Sequence, residues 1–439
     1  MAHQKPPANA FKPLKQPSDS EDVPLSGKKW RARLVAAAAI IGPGIIAASM
    51  VNDAPGIATY AIAGANYGYS ILWMILVSTL VLTVVQEMAA RMGAVTGKGL
   101  SDLVREVFGL RVTFQLLVGL LIANLGTTVA EFAGIAASLE IFGISRYISV
   151  PLGGLFVWLL LVKGSYDRVE KAFLFGSLFF ILYVISGIMV HPPWPEVLRA
   201  TVSPTWHWDA GFISTMVALI GTTVTPWMQF FLQSSIVDKR IKIDDYAVSR
   251  LDVIVGCIAA NVIVFFIIVT AAATLHPHGI RVESAADAAR ALEPFAGHWA
   301  EVIFALGLFN ASLFGAAILP LSTSYSICEG FGWESGVDKT WREAPWFFGI
   351  YTALIVVSAL AILIPGAPLI PIMFWSQVLN GVLLPFVLII MLKLVNNRRL
   401  MGEHVNSPFG NVIAWSAAGL LFLLSALMLV FSLVPGLTA

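Results

Sequence analysis

The sequence predicts an all-α polytopic membrane protein with eleven spanning helices, the first ten arranged as a five-plus-five inverted repeat in which helices 1 and 6 are broken. Three observations lead there. Of 439 residues, 58% are hydrophobic and only 12% charged, with a mean hydropathy of +0.82, a balance that most of a water-soluble globule could not carry. Apolar stretches long enough to cross a bilayer recur along the chain between short polar loops. Two of these stretches, the first and the sixth, carry a polar, proline-broken centre.

Residues 1–33 differ from the rest, being polar, rich in Pro, Lys and Ser, and closed by the basic cluster Lys28, Lys29, Arg31 and Arg33. They lack the pattern of a cleavable signal peptide and are expected to form a disordered cytoplasmic tail. The spans follow near 34–65, 68–93, 113–140, 147–163, 170–191, 211–236, 251–275, 300–328, 346–365, 369–395 and 411–435. Placing the tail inside puts 20 near-membrane or loop Lys and Arg on the cytoplasmic side, with three more further out in the tail, against four outside (Arg146, Arg199, Arg281, Arg290). This positive-inside bias sets the N-terminus in the cytoplasm and the C-terminus outside, across a plasma (inner) membrane. Cys257 and Cys328 both fall in apolar segments as small packing residues, so no disulfide framework is implied.

The first span reads Ile41 to Gly64 with Asn52-Asp53-Ala54-Pro55-Gly56 in its middle. An ionised aspartate at mid-membrane costs roughly 2.5 to 3.5 kcal/mol on insertion scales, and this one lies beside the two residues least able to continue a helix. Backbone groups freed at such a break must face protein or a water-lined cavity, since lipid cannot hydrogen-bond them. Freed carbonyls beside a carboxylate are what a hard cation needs. Asp53 is also suited to cap the half-helix that follows.

The sixth span repeats the defect at Gly221-Thr222-Thr223-Val224-Thr225-Pro226-Trp227. A lone proline often just kinks a helix. A matched pair of breaks five crossings apart instead indicates inverted halves and a secondary transporter with its site at the midplane. No stretch supports a phosphate loop, a nucleophilic triad or a nucleic-acid surface, so neither an enzyme nor a bound cofactor is expected.

At this register the chain resembles the Nramp divalent-metal transporters. The resemblance rests on Gly42-Pro43, Asp53, Ala58-Thr59, Ala63-Gly64-Ala65, Gly68-Tyr69 and Leu72-Trp73. It continues through Ala89 to Lys98 (AARMGAVTGK), Gly221-Thr222-Thr223-Val224 with Pro226, Phe304 to Leu308 (FALGL), Ser376-Gln377-Val378 and Leu400 to Glu403 (LMGE). These residues span about 40 to 405 in the family's order. The resemblance implies a LeuT-type fold with a transport core over 34–405, an additional helix 11 within 406–439, alternating access, and a metal site between helices 1 and 6.

The departures bear on the cargo. The family's Asp-Pro-Gly-Asn becomes Asp53-Ala54-Pro55-Gly56, keeping the carboxylate and losing the amide. Where the family supplies an alanine carbonyl and a methionine thioether before Pro-His, this chain has Thr222 and then Thr225-Pro226-Trp227. Thr127, Thr128, Ala130 and Glu131 stand over a pattern with two acidic residues, of which only Glu131 remains.

Losing the thioether removes a preference for softer transition metals. Magnesium takes oxygen ligands and keeps several waters, and Gly56 leaves room for them. The expected metal site is Asp53, Gly56, Thr222 and Thr225, Thr222 acting mainly through its carbonyl. Gating or secondary candidates are Gln377, Asn380, Glu131 and Trp227, the last filling the volume of the family's histidine. Thr225 has an alternative, bonding back to a carbonyl one turn earlier, and Gln377 and Asn380 have interhelical hydrogen bonding.

The pattern looks like the Nramp-related magnesium branch: a monomeric Mg2+ transporter in the lipid bilayer, passing Mn2+ as well, with little or no proton coupling because intramembrane histidines are absent. The alternatives are a proton-coupled Mn2+/Fe2+ transporter and, from another class, a metal-binding membrane sensor that moves nothing. A sodium-coupled amino-acid transporter of the same fold is disfavoured, since Asp53 would repel the substrate carboxylate.

Overall fold

The computed structural model describes residues 50–163, 181–243, 246–337 and 339–433. The tail and the first half of span 1 therefore lie outside the described residues, as does part of span 5. Among the described residues every element is helical, as hydrocarbon demands of a chain that must satisfy its own backbone.

Helix α1 (Ala54–Tyr67) starts at the break predicted in span 1 and is preceded by one 3-10 turn, Met50–Asn52. It leads into α2 (Trp73–Thr96), which stops at Gly97 in the left-handed region. Helix α3 (Leu100–Glu140) is two helices joined at Gly109, whose φ of 79° interrupts the spiral. The span expected from near 113 is thus preceded by a short additional helix that ends at Gly109. Helix α4 (Arg146–Lys163) follows. The described end of span 5 is α5 (Ile181–Met189), and α6 (Trp194–Val202) lies in the next loop.

Span 6 divides as expected into α7 (Ala210–Thr223) and α8 (Pro226–Asp238), with only Val224 and Thr225 between them. Then come α9 (Tyr246–Thr274), α10 (Ala300–Phe331), α11 (Pro345–Ile362), α12 (Leu369–Val395) and α13 (Pro408–Leu433). Among the described residues eight helical segments are long and apolar enough to cross a membrane, the α7–α8 pair counting as one. The outward faces are apolar at helical spacing. On α9, Leu251, Val255, Ile258 and Val262 are all exposed, which in water would be a fault and in lipid is the expected surface.

The inverted repeat is visible in the packing. Helix α1 lies against α9 as α8 lies against α2, and α3 against α4 as α10 against α11, while α3 and α10 pair with each other. Exchanging the halves maps each contact onto its counterpart. Close approach is secured by small residues. A Cβ on Gly64 would fall 2.6 Å from the Ile268 carbonyl. One on Gly221 would meet the Gln377 carbonyl and the Gly381 amide, and one on Gly381 the Val217 carbonyl, so α7 and α12 touch backbone to backbone.

Both ends of the bundle are tied. On the Asp209 side, the Tyr67 hydroxyl donates to Asp209 Oδ1 at 3.1 Å while the same oxygen caps α7 through the Phe212 N–H. On the other side, Arg91 donates to the His404 and Val405 carbonyls, Asn406 and Glu87, and the Tyr246 hydroxyl donates to Glu87. The ion pair of Glu87 with Arg91, one turn apart on α2, thus fixes helix position.

Candidate metal site

The break in span 1 forms because proline and glycine follow an aspartate that can replace the missing helical hydrogen bonds. Asp53 is the N-cap of α1: its backbone is extended (φ −70°, ψ 170°) and Oδ1 accepts the Gly56 N–H at 2.7 Å. Pro55 sits in the first turn, where its missing N–H costs nothing. One carboxylate oxygen is thereby used as a cap, in a residue only 7% exposed.

Gly56 lies at the centre of an oxygen cradle. A Cβ built there would stand 2.7 Å from Asp53 Oδ1, 2.9 Å from the Val51 carbonyl oxygen and 3.0 Å from Thr222 Oγ1. Three oxygens from both broken spans therefore converge on space that any larger residue would fill. Thr222 Oγ1 is fully buried without a hydrogen-bond partner, and so is Asn52 Oδ1. A buried orphan of this kind costs about 1 to 3 kcal/mol, and such groups collect where water or an ion is accommodated.

The two threonines divide their roles differently from expectation. The Thr225 hydroxyl donates to the Thr222 carbonyl at 2.9 Å, the back-bonding alternative noted for it. The freed carbonyl is thereby satisfied, and the open donor of Thr222 is its hydroxyl oxygen instead. Trp227 is buried, packs edge-on to Phe231 with ring centroids 6.1 Å apart, and leaves its indole N–H unpartnered.

Glu131 stands nearer the site than its place in α3 alone disclosed. Its carboxylate lies beside that of Asp53 and against the start of α1. Both its oxygens are buried with no hydrogen-bond partner, and the space around them exists because Gly315 of α10 has no side chain. Gln377 and Asn380, fully buried on α12, are joined to each other at 3.1 Å, and Asn380 reaches Thr127 on α3 at 2.9 Å. Asn380 thus makes the interhelical bond expected as its alternative, with its Oδ1 left over, while the bonds of Gln377 stay within α12.

Sequence reading missed Tyr60, Thr223 and the Val51 carbonyl. The Tyr60 hydroxyl lies 3.4 Å from the Val51 carbonyl and 3.3 Å from Thr223 Oγ1, fully buried between the two broken spans. The available signal was spacing, since Tyr60 follows Gly56 by four residues and so shares its helix face.

The family model described as natural resistance-associated macrophage protein-like matches residues 44–431. The divalent metal cation transporter MntH of Klebsiella pneumoniae (strain 342) is 28% identical over 405 residues, covering 90% of this chain and 94% of that protein. That of Ralstonia nicotianae is 30% identical over 401 residues, covering 85% and 86%. Among solved structures, the Eremococcus coleocola manganese transporter superposes with a TM-score of 0.74 at 22% identity, over 93% of this chain and 88% of that one. The inward-facing conformation of Mhp1 gives 0.57 at 14% identity, over 91% and 92%. With its broken helices, inverted halves and family match over nearly the whole chain, the protein belongs to the Nramp family of metal-ion transporters.

Proposed function

We propose that the chain moves Mg2+, and Mn2+ as a second cargo, across the plasma membrane by alternating access, with the partly hydrated ion held between spans 1 and 6 and little or no proton coupling. It acts as a monomer with its N-terminus in the cytoplasm. The observation that carries this reading is the cradle at Gly56, where Asp53 Oδ1, the Val51 carbonyl and Thr222 Oγ1 surround space an asparagine would occupy. A single carboxylate, neutral oxygens and free volume match an ion that keeps part of its water shell. Thr225, in place of a thioether, adds no soft donor. The MntH relatives are named for divalent metal cations, which supports the charge of the cargo.

A second reading, proton-coupled Mn2+ transport, is favoured by Glu131, whose unpartnered carboxylate adjoins Asp53. The manganese transporter among the structural neighbours points the same way.

The test is Mg2+ flux into proteoliposomes under an inside-negative potential, which also separates a transporter from a metal sensor. Asp53→Asn keeps an N-cap acceptor and removes the charge, so uptake should be lost with little change in thermal midpoint. Asp53→Ala should lose uptake and also about 1 kcal/mol of stability. Thr225→Met should shift competition toward Mn2+. Absence of Mg2+ flux, or manganese and iron prevailing over excess magnesium in the unaltered protein, would overturn the reading.

A further inference from the structure

Tyr60 presents one hydroxyl proton to two acceptors. Thr223 Oγ1 donates its own proton to the Leu219 carbonyl at 2.7 Å, so toward Tyr60 it acts as an acceptor. The phenol can therefore donate to Thr223 Oγ1 at 3.3 Å or to the Val51 carbonyl at 3.4 Å, one in span 6 and the other in the turn before the break of span 1. The Val51 oxygen is also one of the three that converge at Gly56, and the Thr222 hydroxyl lies close to the phenol as well. The side chain is 0% exposed, so no bulk water competes for these bonds.

We propose that Tyr60 is a positioning residue for the cargo ion: its phenol holds the Val51 carbonyl when no ion is bound and turns to Thr223 when that carbonyl is given to the ion or its water shell. The phenol then does two things. It keeps the Val51 oxygen satisfied in the ion-free state, avoiding the penalty of a buried, unpaired carbonyl. It also holds the two broken spans at one separation, which sets the size of cation the cradle accepts. The exchange moves a single hydrogen bond from one oxygen to the other, with no change of protonation. The inference rests on the cradle being the cargo site.

Two variants remove the link between the spans from opposite ends, and their failure to add separates this role from simple packing. Tyr60→Phe keeps the ring and removes both bonds. The separation of the spans is then unfixed, and the preference for Mg2+ over the larger Ca2+, measured by competitive uptake, should fall about fivefold, the order of one neutral hydrogen bond. Thr223→Val removes the second acceptor and leaves the phenol on Val51. With the link to span 6 gone, the KM for Mg2+ should rise and the preference over Ca2+ should fall about fivefold, as in Tyr60→Phe. The double variant should resemble Tyr60→Phe alone, since Thr223 acts through the phenol.

An unchanged Mg2+/Ca2+ ratio in folded Tyr60→Phe, or additive losses in the double variant, would overturn the proposal. Should Tyr60→Phe not fold, Thr223→Val decides by itself: an unaltered preference, or an unaltered KM, counts against it. If the unaltered protein carries Mn2+ and no Mg2+, the magnesium reading fails, and the Mn2+/Ca2+ ratio tests the role of Tyr60 in its place.

Discussion

Glycine at position 56 carries two opposing costs, and their balance decides what a substitution there should do. Within a helix, Gly→Ala ordinarily gains about 1 kcal/mol in propensity. Here the new Cβ would crowd Asp53 Oδ1, the Val51 carbonyl and Thr222 Oγ1 at 2.7 to 3.0 Å, and overpacking of that kind costs about 1 to 3 kcal/mol. The two nearly offset in stability, but the crowded atoms are all site oxygens. Gly56→Ala should therefore leave the thermal midpoint within a few degrees while lowering Mg2+ uptake at least tenfold, roughly the effect of displacing one site oxygen. Uptake at the unaltered rate would show that the cradle is not where cargo sits. The break at Asp53 was legible in the sequence because a carboxylate beside Pro-Gly interrupts an apolar stretch, whereas the space at Gly56 was read only through the resemblance. The division of labour between Thr222 and Thr225 was not legible, because whether a hydroxyl bonds back to its own helix or faces a cavity depends on rotamers that spacing does not set.

At the scale of elements, the breaks in spans 1 and 6 appear where sequence placed them, because proline, glycine and a capping residue act through local backbone chemistry. The Gly109 interruption of α3 was missed, since an isolated glycine among helix formers looks like a packing residue until its φ is known. The meeting of α7 with α12 was equally hidden. Gly221 was read as part of a polar break and Gly381 drew no notice, yet each leaves no room for a Cβ against the other helix's backbone. Backbone atoms cannot move aside as a flexible side chain can. Gly221→Ala should thus destabilise the protein by about 1 to 3 kcal/mol, seen as a lower thermal midpoint in detergent. It should also impair transport by pushing α7, with Thr222, off α12. A midpoint at or above that of the unaltered protein would mean the helices separate without penalty.

Across the whole molecule, hydropathy and the matched pair of breaks anticipated spans and inverted halves, since both are written along the chain, whereas the proximity of Glu131 to Asp53 depends on three spans meeting. That proximity makes proton coupling a question for the entire bundle. A relay needs a succession of titratable groups from one face to the other. Of the described histidines, His276 binds the Ala65 carbonyl, His278 the Thr274 carbonyl and His207 packs on Tyr67 and Phe212, all at one end of the bundle, while His191 and His298 stand in the loops before α6 and α10. His404 lies in the loop that Arg91 holds at the other end. Around the middle of α3, the polar neighbours are Asn124, Thr127, Gln377 and Asn380, which do not titrate. Among the described residues Glu131 thus adjoins the site without a chain of titratable groups leading away from it. Mg2+ uptake should accordingly follow the imposed membrane potential and be nearly indifferent to a pH gradient, with no internal acidification, and Glu131→Gln should retain uptake within about twofold. Acidification that rises in step with Mg2+ entry and disappears in Glu131→Gln would instead make Glu131 the proton carrier, and the protein a coupled transporter that works with one carboxylate where its relatives' pattern has two.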